Sequence, residues 1–455
     1  MSDEHTATHG MGGSDHGDPD EVAGSLKLRG AVALGTGVMI GAGIFALPGQ
    51  VAEVSGDLFP IAFLVAAVVV AFSSYSYVKL SSLYSSSGGV AMYLKAEYGL
   101  GTATGFFSLL MYLSMVMSES LVARTFGSYT LQVVDLGDES FWVPALGVAL
   151  LVVAFGVNVA GNRLVEATEG AMALIKIAGL GIFAVGALWF AETANFTNGT
   201  ETGGSSATIS GFLAGIALSI LAYKGFTTIT NSGGEIVNPE RNVGKAIVIS
   251  IAICSVLYVA IALAIAGNLT LSEVVDAADF ALARAAEPAF GEAGVWLTVA
   301  LAIIATTSGV IASVFAASRM LAMLTRMSEV PHRHFGLPGS LRKHAMVYTV
   351  SVAIVATVFL DLGRIAALGA IFYLIMDIAI HWGLLRHLRD KVNISPAIVA
   401  TAIVLDIVVL IALLWVKGSE DVLILYVSAI SLVAILVAEE LFMRSHTDAD
   451  GNMNM

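Results

Sequence analysis

Charge and sulfur are what this sequence has least of. Only 13% of its 455 residues are Asp, Glu, Lys or Arg, where an ordinary soluble protein carries roughly a quarter. Too few charges remain to cover the surface of a water-soluble chain of this length. The single cysteine, Cys254, excludes an intramolecular disulfide and a thiolate metal cluster. Basic residues are also sparse: 22 Lys and Arg face 35 Asp and Glu, a formal net charge of -13, so nucleic acid is not an expected partner. The chain has no His-Glu-x-x-His, no Gly-x-Ser-x-Gly and no P-loop, which removes the usual signatures of an intramembrane hydrolase or an ATP-driven machine. We therefore expect no enzyme and no cofactor.

What the sequence has instead is apolar length. Hydrophobic residues make up 57% of it, and a helix needs about 20 of them to cross a bilayer. Runs of this kind predict twelve membrane helices, near residues 28–52, 58–79, 103–130, 141–160, 167–190, 209–231, 244–266, 293–325, 345–361, 364–385, 395–416 and 421–442. The expected fold is thus an all-α integral membrane protein with a transmembrane domain over 28–442. It is preceded by a His- and Asp-rich tail at 1–27 and followed by a short tail at 443–455. The tail is too polar to fold alone; its His5, His9 and His16 either bind metal or are simply solvated. The first run follows Lys27 and Arg29 as a signal peptide would, but it is too long and has no convincing cleavage site, so it is expected to stay in the mature protein.

Positive charge sets the orientation, because loops rich in Lys and Arg stay in the cytoplasm. With the amino terminus inside, 16 of the 22 basic residues fall on the inner side, and only Arg124, Arg284, Arg364 and Lys417 fall outside. Lys176 and Lys224 lie within spans. Both termini are then cytoplasmic, in the cell membrane. The loop 191–208, with the glycosylation-type triplets Asn195-Phe196-Thr197 and Asn198-Gly199-Thr200, lies outside.

Two spans carry helix-breaking residues at membrane depth, where a break survives only if it is buried or lines a cavity. The first reads Gly41-Ala42-Gly43 followed by Pro48-Gly49; the sixth has Gly225 at mid-span and a polar second half, Thr227-Thr228-Ile229-Thr230-Asn231. Each opens a block of five helices, 28–190 and 209–385, leaving helices 11 and 12 at about 395–442. Corresponding broken helices point to a transporter of inverted repeats, whose half-helix N-termini suit an anionic group and whose loose carbonyls suit a cation. A zwitterion fits such a site. The alternative is that these glycines only permit close helix packing.

The motifs make the likeness specific. Ile40-Gly41-Ala42-Gly43-Ile44-Phe45, Ser87-Gly88-Gly89-Val90-Ala91-Met92-Tyr93, Ala222-Tyr223-Lys224-Gly225-Phe226 with Glu235-Ile236-Val237-Asn238-Pro239-Glu240-Arg241, and Ala317-Ser318-Arg319-Met320 together resemble the amino acid, polyamine and organocation (APC) superfamily of permeases. The resemblance implies secondary active transport of amino acids by alternating access, with substrate held by Ile40, Gly41, Ala42, Gly43 and Ile44 on one side and Leu221, Ala222, Tyr223, Lys224 and Gly225 on the other. Leu221 and Thr227 stand where the family often has an aromatic gate and an acid. Some sodium-independent members carry a lysine on helix five, and Lys176 matches that pattern. A lysine whose burial changes between two conformations can take up and release a proton, so proton coupling is the expected mode. Sodium coupling or exchange, with amines or polyamines as cargo, is the alternative. The simpler fate for Lys176 is to snorkel to the interface or to pair with Glu169.

Other buried-span charges are Glu119, the pair Asp377 and His381 at i, i+4 spacing, and Asp406. The pair reads as a packing contact or a proton relay, and Asp406 as an interface residue. The expected partners are an amino acid, protons and the lipid bilayer; the oligomeric state is not legible.

Overall fold

The computed structural model describes residues 26–84, 88–160, 162–191, 208–330 and 340–446. The amino-terminal tail up to residue 25, the triplets at 195–200 and Ser87 lie outside the described residues. Within them the chain is helical, and the only β-type pairing is an isolated parallel bridge between Leu26 and Ile236. Helices are what an apolar chain of this kind must form, because hydrocarbon offers no partner for an open N–H or C=O.

The first block runs α1 (Leu28–Ala42), α2 (Pro48–Ser55), α3 (Phe59–Ser81), a short α4 (Gly89–Tyr98), α5 (Thr102–Leu131), α6 (Glu139–Ala160) and α7 (Asn162–Trp189). The second runs α8 (Ile209–Tyr223), α9 (Thr227–Asn231), α10 (Pro239–Asn268), a short α11 (Leu271–Asp276), α12 (Ala281–Arg326), α13 (Leu341–Phe359) and α14 (Leu362–His387), and two further helices follow, α15 (Pro396–Glu420) and α16 (Val422–His446). Both blocks thus open with a broken helix and insert a short helix before the third long one, which is the layout expected of two repeats. In α12 the helix turns at Gly291, whose φ of 66° and ψ of -164° are not helical. The span expected to start near 293 begins just past this kink.

Ten described helices are long and apolar enough to cross a membrane, against the twelve expected. Two segments fall short for physical reasons. The break leaves Leu28–Gly41 as a shorter apolar helix, about 21 Å at 1.5 Å per residue against a hydrocarbon core of about 30 Å. Helix α13 has 19 residues but starts Leu341-Arg342-Lys343-His344, which lowers its hydropathy.

Burial separates inner helices from outer ones. The apolar window of α14 is 83% buried and that of α5 is 78%, whereas α15 reaches 33% and α16 only 17%. Helices α5, α8, α12 and α14 therefore form the centre. Large apolar side chains that remain exposed, such as Ile182, Trp189, Trp415 and Ile430, sit on the outer helices α7, α15 and α16, where lipid rather than water is their natural solvent.

Candidate functional site

The first break begins where α1 ends at Ala42. Gly43 to Leu47 form turns, with the Leu47 N–H donating to the Gly43 carbonyl at 3.0 Å, and α2 restarts on Pro48 at its first position. Proline there lacks only an N–H that no helix would use. The Phe45 carbonyl accepts from the Tyr129 hydroxyl at 3.3 Å, and the two rings meet edge-on, 5.7 Å apart. The second break is tighter than the sequence suggested. Between α8 and α9 lies a single 3-10 turn, Lys224–Phe226, rather than an unwound stretch.

The two interruptions touch. A Cβ on Gly43 would lie 2.4 Å from the Ala222 Cβ, and one on Gly225 would lie 2.8 Å from the Met39 backbone nitrogen. Gly41 is pressed equally hard against Gly309 of α12, with 2.8 Å to its Cα. The packing role weighed for these glycines is therefore real, and it coexists with the breaks: the backbones approach so closely because no side chain stands between them.

Beside this crossing is a cavity of about 20 Å³, lined by Val38, Met115, Ser118, Val122, Leu221, Lys224, Gly225, Thr227, Thr228, Gly309 and Ser313. That is room for roughly one water. Of the residues expected at the site, Leu221, Lys224 and Gly225 line the cavity. Ile40, Gly41, Gly43, Ile44, Ala222 and Tyr223 are buried but do not line it, and Ala42 closes α1. Tyr223 turns away: its hydroxyl donates to the Phe63 carbonyl at 3.2 Å. Sequence reasoning missed Ser118, Thr228 and Ser313, whose one signal is a hydroxyl inside a span.

The Lys224 ammonium is buried and donates to the Ser114 carbonyl at 2.5 Å and to its hydroxyl at 2.6 Å. The charge acting on it is Glu119 of α5, one oxygen of which lies 3.5 Å from the Ser313 hydroxyl while the other has no partner. Lys224, Ser118 and Ser313 thus line the cavity, and Glu119 stands behind the Ser313 hydroxyl. Lys176 is fully buried and its ammonium donates to the Gly37 carbonyl of α1 at 3.0 Å. It does not snorkel. The side chain of Glu169, its suggested partner, lies outside the described residues.

Two of the recognised motifs close one end of the bundle. Glu235, after α9, forms an ion pair of 2.5 Å with Arg319 near the end of α12, both nearly buried. The Arg319 guanidinium also stacks over Phe315 at 4.3 Å. Leu26 lies beside them, its N–H donating to the Glu235 carbonyl and its carbonyl accepting from Val237, both at 2.9 Å. Gly89, at a φ of 49°, is seated on Asn231, whose side-chain oxygen accepts from the Val90 N–H at 3.4 Å. Asp377, His381 and Asp406 form a separate buried group. Asp406 faces His381 at 3.4 Å, across the contact between α15 and α14.

Comparison with known proteins agrees with this architecture. The chain is 28% identical to the inner membrane transport protein YbaT of Escherichia coli over 91% of its length and 95% of that protein. It is 27% identical to the methylthioribose transporter of Bacillus subtilis, over 76% of this chain and 77% of the other. A manganese transporter of Eremococcus coleocola superposes with a TM-score of 0.61 at 12% identity, covering 93% of this chain and 99% of that one; at such identity the likeness concerns the fold. The model of the amino acid permease family matches residues 26–438, and with nearly the whole chain inside that match the protein belongs to the amino acid permeases of the APC superfamily, a family of multi-pass membrane transporters.

Proposed function

We propose that the protein carries amino acids across the cell membrane by secondary active transport, coupled to protons and independent of sodium, with both termini in the cytoplasm. The observation that carries this reading is the contact between the two breaks at Gly43 and Ala222, beside a cavity that joins Lys224, Ser118 and Ser313. Backbone at Ile40 to Ile44 would take the substrate carboxylate, and carbonyls at Leu221 to Gly225 its amino group. At about 20 Å³ the cavity holds no amino acid, so α1 and α8 must separate on loading. Lys224 would repel a cationic side chain, which favours neutral or acidic cargo.

Lys176 is the proposed coupling group. Its ammonium holds the Gly37 carbonyl a turn and a half before the break, so losing or gaining a proton there changes what fastens α1 to α7. A lysine that fills this position also supplies, from the chain itself, the positive charge that a bound sodium would bring.

Purified protein in liposomes tests the reading. Saturable uptake of radiolabelled neutral amino acids is expected, driven by an inward proton gradient and unchanged without sodium, and Lys176→Ala abolishes it. Strict dependence on sodium, or equal uptake by the variant, would refute the coupling; no uptake of any amino acid would refute the cargo.

A further inference from the structure

A second set of ionisable groups lies between α3, α14 and α15, beyond the second break, with the Tyr77 ring 5.1 Å from that of Phe226 and the Tyr373 ring 6.0 Å from the Lys224 nitrogen. Asp377 and His381 are one turn apart on α14, Asp406 comes from α15, and all three are at most 1% exposed. His381 Nε2 is 3.6 Å from Asp377 Oδ2 and 3.4 Å from Asp406 Oδ2, and one donor atom from each residue falls within 4.8 Å of the others. Neither Asp406 oxygen nor His381 Nε2 has a hydrogen-bond partner. Unsatisfied polar atoms at this depth are costly, and these converge on one point.

Charge and spacing say what belongs there. Among the described residues no Lys or Arg pairs with either aspartate, so with both aspartates ionised a protonated His381 leaves the three groups one charge negative. Either a divalent cation on a neutral imidazole or a second proton on an aspartate makes them neutral, and spacing separates the two. A proton shared between charged partners would draw the atoms to about 2.7–2.9 Å. Four donors at about 2.0–2.2 Å from a tetrahedral ion lie roughly 3.4 Å apart, close to the distances seen. The side chains are already held in place: Ser76 Oγ lies 2.8 Å from His381 Nδ1, Asp377 Oδ1 accepts from Tyr77 at 2.5 Å, and its Oδ2, the oxygen nearer His381, accepts from Ser73 at 2.6 Å. Such outer bonds set the tautomer and aim of metal ligands. Tyr373, one turn before Asp377, adds a buried hydroxyl without a partner.

We propose that Asp377, His381 and Asp406 bind one divalent transition-metal ion of the zinc type, which clamps α15 to α14. Nitrogen and carboxylate donors in a tetrahedral array suit zinc, and the enclosure of all three makes the ion a resident of the fold rather than cargo.

The test uses full-length protein with His5, His9 and His16 replaced by alanine, so that the tail cannot bind metal, and with a purification tag free of histidine. Elemental analysis after dialysis, and melting temperature with ZnCl2 or a chelator at fixed pH, are read. About one zinc per chain is expected, retained or restored by ZnCl2, with melting raised by zinc and lowered by chelation. Asp406→Asn should abolish binding. Ser76→Ala keeps all three ligands and should weaken zinc affinity on the order of 10–100-fold. If Asp406→Asn does not fold, the parent protein and Ser76→Ala decide. A metal-free parent whose melting ignores zinc would overturn the proposal and leave the cluster to protons; so would full zinc occupancy in both variants.

Discussion

The residues that decide this structure are small or charged, and each can be tested alone. Gly43 is held at a distance where any side chain collides with Ala222. Overfilling a packed contact costs about 1–3 kcal/mol, so Gly43→Val should lower the melting temperature and abolish uptake together. A variant that melts normally and transports would show that the breaks do not need to touch. Glu329, just past α12, illustrates a titration outside the membrane. Burial raises its carboxyl from the ordinary 4.5 to about 7, with the Gly101 N–H and Lys95 opposing. The folded chain therefore keeps a proton that the unfolded chain has released, and the stability this brings is full below about 4.5 and is lost as pH rises through about 7. Melting temperature should fall between pH 5 and pH 7, and Glu329→Gln should flatten that slope; an unaltered slope in the variant would assign it to other groups.

At the scale of elements, the ion pair between Glu235 and Arg319 joins the loop after α9 to the end of α12. Removing one partner of a nearly buried pair strands the other charge and costs about 3–5 kcal/mol. Arg319→Ala should therefore destabilise strongly, and the double variant Glu235→Ala with Arg319→Ala should recover much of the loss, since no charge is then left alone. Additive losses in a double-mutant cycle would show that the pair does not hold these elements together. The elements themselves were largely legible in the sequence. Gly41-Ala42-Gly43 with Pro48, and Gly225 at mid-span, mark the breaks because glycine and proline act on the backbone of their own helix. The 3-10 form of the second break was not legible, because a tight turn and an unwound loop use the same glycine, and the packing of Met39 on Gly225 selects the tight one.

For the whole molecule, the question is whether the closed end must open. Leu26 and Ile236 are paired across an isolated bridge, within reach of a disulfide, and Cys254, the one native cysteine, is buried. Leu26→Cys with Ile236→Cys should cross-link under mild oxidation, stop uptake, and regain it on reduction. Undiminished uptake by the cross-linked protein would mean that this end does not move during transport.

The sequence by itself determined the class of molecule, the order of its helices and the places where two of them break, because hydropathy, glycine and proline act over a few residues of one chain. Only the tertiary structure decided which side chains share a site. It placed Lys176 on Gly37, Lys224 on Ser114 and Asp406 against His381. A polar group buried in a membrane must find its partner in space, and that partner stands on another helix, at a separation along the chain that no local pattern encodes.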